Sequence, residues 1–277
     1  MGVDVQAYLE RIGYSGPTAP SLDFLRAVHR LHPMAIPFEN LSTLIGDPVP
    51  LDLERLEHKL VESRRGGYCF EQNRLFAAVL EAVGFDVVPL AARVVWNLPA
   101  GAMNPRTHMV LLVDVGGTPY ICDVGFGGVT ATAPLELVVE RVQATPHEHF
   151  RVLADGPEHE LQVRLDDHAG REWRSMYRFD LQRQSPIDYE MANHYVATHP
   201  DSHFRTRLTV ARAFDSGRYA LANNELTTYG GKRPTTLRFE SSDEIKIALA
   251  DVFGIDVPES ERLDAALARV VLSGRSA

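Results

Sequence analysis

Along residues 1–84 the apolar positions recur at helical spacing, and along residues 85–190 they fall in the short runs and alternations that suit strands. Val5–Ile12, Leu22–His32, Leu51–Leu60 and Cys69–Val83 each set apolar side chains three or four apart, with Pro or Gly between one segment and the next. In the last of them Phe76, Val79, Leu80 and Val83 make the stripe, and Gly84 closes it as a C-cap. Strands are predicted at Val87–Trp96, His108–Val115, Tyr120–Phe126, Phe150–Leu153 and Leu161–Leu165. Gly116-Gly117 reads as a tight hairpin turn between the second and third. Residues 191–277 mix the two periods. Tyr219–Leu226, broken by a turn at Asn223-Asn224, and Thr235–Glu240 read as strands. Ser242–Phe253 and Glu259–Val271 read as helices, opened by Ser241-Ser242-Asp243-Glu244 and Pro258-Glu259-Ser260. The chain is therefore α+β in three regions, 1–84, 85–190 and 191–277, with no internal repeat and no low-complexity linker between them.

The chemistry concentrates at Arg65-Gly66-Gly67-Tyr68-Cys69-Phe70-Glu71-Gln72-Asn73. Gly66-Gly67 is expected to turn the backbone sharply, through dihedrals closed to other residues. Cys69 then falls in the first turn of a helix, where free N–H groups and the positive dipole end favour a thiolate, the nucleophilic form. A lone buried cysteine is also a common packing residue, so the downstream strands decide what this one means. His108 opens the first strand of the hairpin and Asp123 lies near the end of the second, so antiparallel pairing brings them to one end. A turn-rich loop from Asn97 to Arg106 leads into His108. Cys69 as nucleophile, His108 as base and Asp123 as orienter of the imidazole is the logic of a triad. The alternative is a strand histidine and a hairpin aspartate that only cap polar edges.

These segments resemble the arylamine N-acetyltransferases of the bacterial type. Arg-Gly-Gly-x-Cys-x-Glu-x-Asn is complete, with Tyr68, Phe70 and Gln72 at its variable places. Ile36-Pro37-Phe38-Glu39-Asn40-Leu41, Thr107-His108, Asp123-Val124-Gly125-Phe126-Gly127, Thr198-His199-Pro200 and His203-Phe204 match further family segments. The likeness runs from about residue 5 to about residue 240. It implies a helical bundle carrying the nucleophile, a β-barrel-like region carrying His and Asp, and a C-terminal α/β lid, around a papain-like thiol-enzyme core. It also implies an acetyl group moved from acetyl-CoA, or propionyl from propionyl-CoA, to an aromatic amine or hydrazine by a ping-pong route, a role in xenobiotic metabolism. Phe38, Tyr68, Phe126 and Phe204 would surround the acyl acceptor, although aromatic residues are more often core than pocket. Trp96, Thr107 and Gly127 would border coenzyme A. A transglutaminase-like or peptidase-like thiol enzyme, independent of coenzyme A, would share the triad, and a non-enzymatic binding module with a buried cysteine is a third reading.

Composition narrows the setting. A chain of 277 residues can bury a large core. The net charge of -9 argues against nucleic acid, and means that an anionic substrate must be held by local donors. Met1-Gly2-Val3-Asp4 lacks the basic start of a signal peptide, and no apolar run approaches the ~20 residues of a membrane span. Two cysteines do not make a disulfide framework, and a thiol nucleophile needs a reducing compartment, so a cytoplasmic location is expected. Cys122, beside Asp123 on a strand, should face the other way and be inert core. Glu39 and Arg65 are expected to form a buried structural ion pair. His147-x-His149, with only His159 as a third candidate, is weighed as a metal site and set aside, so no metal is predicted. A homo-oligomer is left open.

Overall fold

The structure is a computed structural model that describes residues 2–99, 101–167, 170–231 and 233–274. Helix α1 (Val5–Ile12) begins at Asp4, whose carboxylate accepts the Ala7 N–H at 3.0 Å, and ends at Gly13. α2 (Leu22–Ala35) begins at Ser21 and runs past the predicted end at His32, carrying Pro33 in its last turn. The chain then gives strand β1 (Phe38–Glu39) and a short helix α3 (Leu41–Ile45) that periodicity did not reveal. The helix expected over Leu51–Leu60 divides into α4 (Leu53–Glu57), capped by Asp52, and a wider π turn over His58–Glu62. Leu56 and Leu60, one from each piece, are both buried. α5 (Cys69–Val83) has the predicted limits and stops at Gly84, where φ is +107°.

An eight-stranded antiparallel sheet follows, in the order β5-β4-β3-β2-β9-β8-β7-β6. Its members are β2 (Asp86–Val94), β3 (His108–Val115), β4 (Thr118–Cys122), β5 (Leu135–Glu136), β6 (Gln143–Ala144), β7 (His149–Asp155), β8 (Glu158–Asp167) and β9 (Gly170–Arg183). Gly116 and Gly117, at φ of +63° and +86°, make the expected two-residue turn between paired Val115 and Thr118. β4 stops at Cys122 instead of reaching Phe126, because the Asp123 carboxylate turns back to accept the Gly125 N–H at 2.9 Å. The two edge strands meet through one side chain. Glu136 N–H donates to Gln143 Oε1 and Gln143 Nε2 donates to Glu136 O, both at 2.9 Å. That pair satisfies edge groups and brings the sheet close to a closed barrel. Leu90, Val110, Ile121, Phe150, Val163, Met176 and Phe179 fill its interior.

Helix α6 (Pro186–Thr198) leaves the barrel-like sheet and leads to a five-stranded sheet, β1-β10-β11-β12-β13. Here β10 (Thr209–Phe214), β11 (Gly217–Ala222), β12 (Glu225–Tyr229) and β13 (Thr235–Arg238) pair with β1 from the N-terminal part of the chain. Asn223, at φ +55°, turns β11 into β12 as expected. α7 (Ser242–Asp251) and α8 (Glu261–Gly274) cover this sheet with Ile245, Leu249, Leu263 and Leu267. The fold is thus helical bundle, barrel-like sheet and C-terminal α/β layer, as expected. Among the described residues no helix is long and apolar enough to cross a membrane.

Candidate active site

Cys69 is the first residue of α5, and the turn before it is held from several directions. Arg65 donates to Glu39 Oε1 from Nε at 3.0 Å and Nη2 at 2.7 Å, while Glu39 Oε2 accepts the Leu41 N–H at 2.6 Å. This is the expected buried ion pair. Glu71 accepts the Tyr68 N–H at 3.0 Å and the Lys59 ammonium at 2.6 Å. Gln72 Nε2 donates to Pro37 O at 2.8 Å and Gly67 O at 3.1 Å. Gly66 and Gly67 do not have the positive φ expected of them. They are required for space instead: a Cβ on Gly66 would lie 2.0 Å from Pro37 O, and one on Gly67 2.6 Å from Glu71 Oε2.

β3 delivers His108 and the end of β4 delivers Asp123 to the same place. His108 Nε2 meets Asp123 Oδ2 at 2.7 Å, and Cys69 Sγ donates to the Thr107 carbonyl at 3.6 Å. Asp123 Oδ1 accepts from Asn73 Nδ2 at 2.9 Å, and Asn73 also donates to Met109 O and accepts the Val124 N–H. Asn73, one turn along α5 from Cys69, therefore locks the helix to both strands. The motif signalled this asparagine but not its partners. Gly125 permits the same approach, since a Cβ there would lie 2.8 Å from Cys69 Cα. Cys69, His108 and Asp123 are all buried, at 5%, 2% and 3% exposure.

Burial alone would disfavour an imidazolium at His108, yet the charge and hydrogen bond of Asp123, with a smaller contribution from Cys69, raise its pKa to about 10. Burial pushes the Asp123 carboxyl up, and His108, Asn73 and the Gly125 N–H more than reverse this, leaving it below the usual range. A cysteine beside an imidazolium, itself oriented by a carboxylate, can carry out nucleophilic substitution at an acyl carbon. A helix-borne cysteine facing strand-borne His and Asp is also the layout of papain-like thiol enzymes.

The aromatic candidates divide into two groups. Phe126 lies edge-on to His108 at 5.6 Å and to Trp96 at 6.1 Å, and Thr107, the residue before His108, offers its carbonyl to Cys69. Tyr177, which sequence reasoning missed in the unrecognised β9, lies over the His108 ring at 5.0 Å. Phe204 packs between Phe38 at 6.0 Å and Tyr68 at 5.8 Å, and Phe38 bridges to Gly67. Gly127, at φ +95°, sits against Phe38, where a Cβ would be 3.4 Å from the ring. Tyr68 is fully buried, and its hydroxyl donates to Asn193 of α6. Cys122 is fully buried in β4, and burial, with the Asp123 charge second, pushes its thiol well above the ordinary range. His147 spends both ring nitrogens on Thr132 Oγ1 at 2.8 Å and Phe214 O at 2.6 Å. Among the described residues, no three His, Cys, Asp or Glu side chains form a group suited to a metal ion.

The sequence model of the N-acetyltransferase family matches residues 21–262. An arylamine N-acetyltransferase of Escherichia coli is 43% identical over 92% of this chain and 89% of its own length. That of Mycolicibacterium smegmatis is 42% identical over 93% of this chain and 94% of its own. The structure of Mycobacterium marinum arylamine N-acetyltransferase superposes with a TM-score of 0.92 at 41% identity, covering 97% of this chain and 100% of that one. The same enzyme in complex with CoA gives 0.91 at 41% identity, covering 96% and 99%. With the helix-tip cysteine, the strand-end histidine and aspartate and the barrel-like sheet in place, the chain belongs to the arylamine N-acetyltransferase family.

Proposed function

We propose that this chain transfers an acetyl group from acetyl-CoA to arylamines and arylhydrazines in two half-reactions, through an acetyl thioester on Cys69. The observation that carries the reading is the buried line from Cys69 through His108 to Asp123 Oδ2 at 2.7 Å, in a chain of this family. In the first half-reaction the Cys69 sulfur attacks the thioester carbon, the bond to the CoA sulfur breaks, and the departing thiolate takes a proton from the His108 imidazolium. In the second, the amine nitrogen attacks the acetyl carbon, its proton passes to His108, and Cys69 leaves as thiolate. Asp123 holds the imidazole in the productive orientation and stabilises its charge. An arylamine suits this chemistry because it is unprotonated near neutral pH.

Phe38, Phe126 and Phe204 make the apolar wall for a flat acceptor, with Tyr68 supporting Phe204 from the buried side. Trp96, Thr107 and Gly127 border the donor, and the CoA complex of the M. marinum relative supports a coenzyme A thioester as that donor. Residues 1–84 supply the nucleophile, 85–190 the His and Asp, and 191–277 the lid, in a protein that works in the cytoplasm. The deciding experiment is incubation with acetyl-CoA and no acceptor, read by intact mass. One added acetyl group on the peptide containing Tyr68-Cys69-Phe70, removed on adding an arylamine with release of acetylated product, is expected. Intersecting initial-rate plots with no acetylated protein would replace this route with direct transfer. A chain that releases no CoA thiol in either case would be the coenzyme A-independent thiol enzyme or the non-enzymatic binding module.

A further inference from the structure

Helix α2 carries two fully buried histidines one turn apart, His29 and His32, and neither belongs to the Cys69–His108–Asp123 line. His32 has a complete set of partners. Gln72 spends its amide N–H groups on two carbonyls, so its Oε1 accepts from His32 Nε2 at 2.5 Å, and Tyr8 Oη donates to Nδ1 at 2.8 Å. His29 is different. When β4 stops at Cys122, the backbone N–H of Asp123 leaves the sheet without a strand partner, and it donates to His29 Nε2 at 3.2 Å. Nε2 is therefore the bare nitrogen and Nδ1 carries the proton. That Nδ1 is buried and has no hydrogen-bond partner.

A phenyl ring would fill this space, edge-on to Phe76 at 5.7 Å, without leaving a buried donor unpaired. What the imidazole adds is one acceptor, and that acceptor is spent on the residue that orients His108. We infer that His29 is a positioning residue: as a neutral acceptor it fixes the Asp123 backbone, so that Oδ2 meets His108 while Oδ1 meets Asn73 and Gly125. A protonated His29 would set an N–H against the Asp123 N–H and release that anchor. Burial, opposed by the Asp123 charge, holds the His29 pKa down at about 4, so the neutral form persists across the working range. The titratable groups coupled to it are Asp123 and His32.

The inference rests on the proposed triad, and its test separates the two. In the full-length protein, NMR titration of the His108 ring should give a midpoint near 10. His29→Phe should bring that midpoint back toward the ordinary imidazole range of about 6.5 and lower kcat roughly 10–100-fold, as loss of an orienting partner does at other sites. His29→Gln, whose Oε1 can accept the same N–H, should hold the wild-type midpoint and keep kcat within about threefold. Should His29→Phe fail to fold, His29→Leu takes its place in the comparison. An unchanged midpoint and kcat in the apolar variant, or equal damage in the Gln and apolar variants, overturns the positioning role and leaves the triad standing. A wild-type midpoint near 6.5 overturns both.

Discussion

The turn that opens α5 and the end of β4 each carry a cysteine, and both cysteines belong to one apolar core. Exposure hardly separates them, since Cys69 is 5% exposed and Cys122 is fully buried. Their neighbours do. Cys122 lies within the β3–β4 ladder opposite Leu111, surrounded by apolar side chains, and burial keeps it a neutral thiol. Cys69 stands where a helix starts, against the Thr107 carbonyl and the raised imidazole of His108. Chemistry collects where regular elements end, because only there are backbone groups and side chains free to turn toward one another. Asp123 follows the same rule: one residue beyond its strand, its N–H and both carboxylate oxygens find partners outside the ladder.

The comparison breaks first at the proposed nucleophile. Cys69→Ala is expected to lose at least ~10⁴-fold in acetylation rate, in line with removal of the nucleophile elsewhere. Intact mass should show no acetyl adduct with acetyl-CoA. An active Cys69→Ala enzyme would make the two cysteines equivalent after all. Asp123→Asn keeps size and most packing but can place an amide donor where His108 needs an acceptor. A fall of roughly 10²–10⁴-fold in kcat/KM is expected. Near-wild-type turnover would reduce Asp123 to a residue that only shapes the turn.

The two regions also differ in how legible they were. Around Cys69 the signals are local. The limits of α5, the Gly84 stop and the Glu39–Arg65 pair could all be read along the chain. The need for glycine is not local at Gly66, where closeness to Pro37 O is set by a distant segment, whereas at Gly67 it comes from Glu71 in the first turn of α5. Around His108 the support is long-range. β9 was missed because Arg, Glu and Asp interleave its apolar positions, and a bulge opposite Leu161 and Gln162 puts Met176 and Tyr177 both inside. α6 was missed because it has apolar side chains on two faces: Tyr189 and Val196 are buried while Ile187 and Met191 are exposed. His29 looked like one more position of the α2 stripe, and nothing local marks an acceptor for an amide 94 residues away.

A smaller effect tests the electrostatics of the His108 end. Its native pKa of about 10 lies above the ordinary imidazole value of about 6.5, so the folded state holds a proton that the unfolded state has released between those limits. The stability from this pairing is full below about pH 6.5 and is lost as pH rises toward 10, at no more than ~1.4 kcal/mol per pH unit. Asp123, held low, contributes above the ordinary carboxylate range and loses that contribution as pH falls through its native value. Urea midpoints measured from about pH 6.5 to 8 stay below most of the range where Cys122, held up by burial, adds its own slope. Over that window the wild type should lose stability relative to His108→Gln as pH rises, because His29 and His32, both held low by burial, add the same slope of opposite sign to both proteins. Parallel curves would show that His108 and Asp123 are not paired in the folded protein.

The smallest effect is expected at the second cysteine, where it matters most that little happens to activity. Cys122 belongs to the apolar core that also holds Phe76, Leu111 and Val113, and burial holds its thiol in the neutral form. Cys122→Ala removes one buried sulfur and should cost about 1–2 kcal/mol, seen as a lower urea midpoint at unchanged m-value. Turnover at saturating substrate should remain near wild type. Iodoacetamide at low ratio should label Cys69 before Cys122 in the wild type, and should label Cys69 at the same rate in the variant, where it is the one cysteine left. The neighbouring Asp123 makes the variant a demanding control: a slack end to β4 would carry Asp123 away from His108 and lower kcat. A hundredfold loss of turnover without a change in the Asp123–His108 pairing, read from the His108 titration, would place Cys122 in the chemistry and erase the contrast between the two turns.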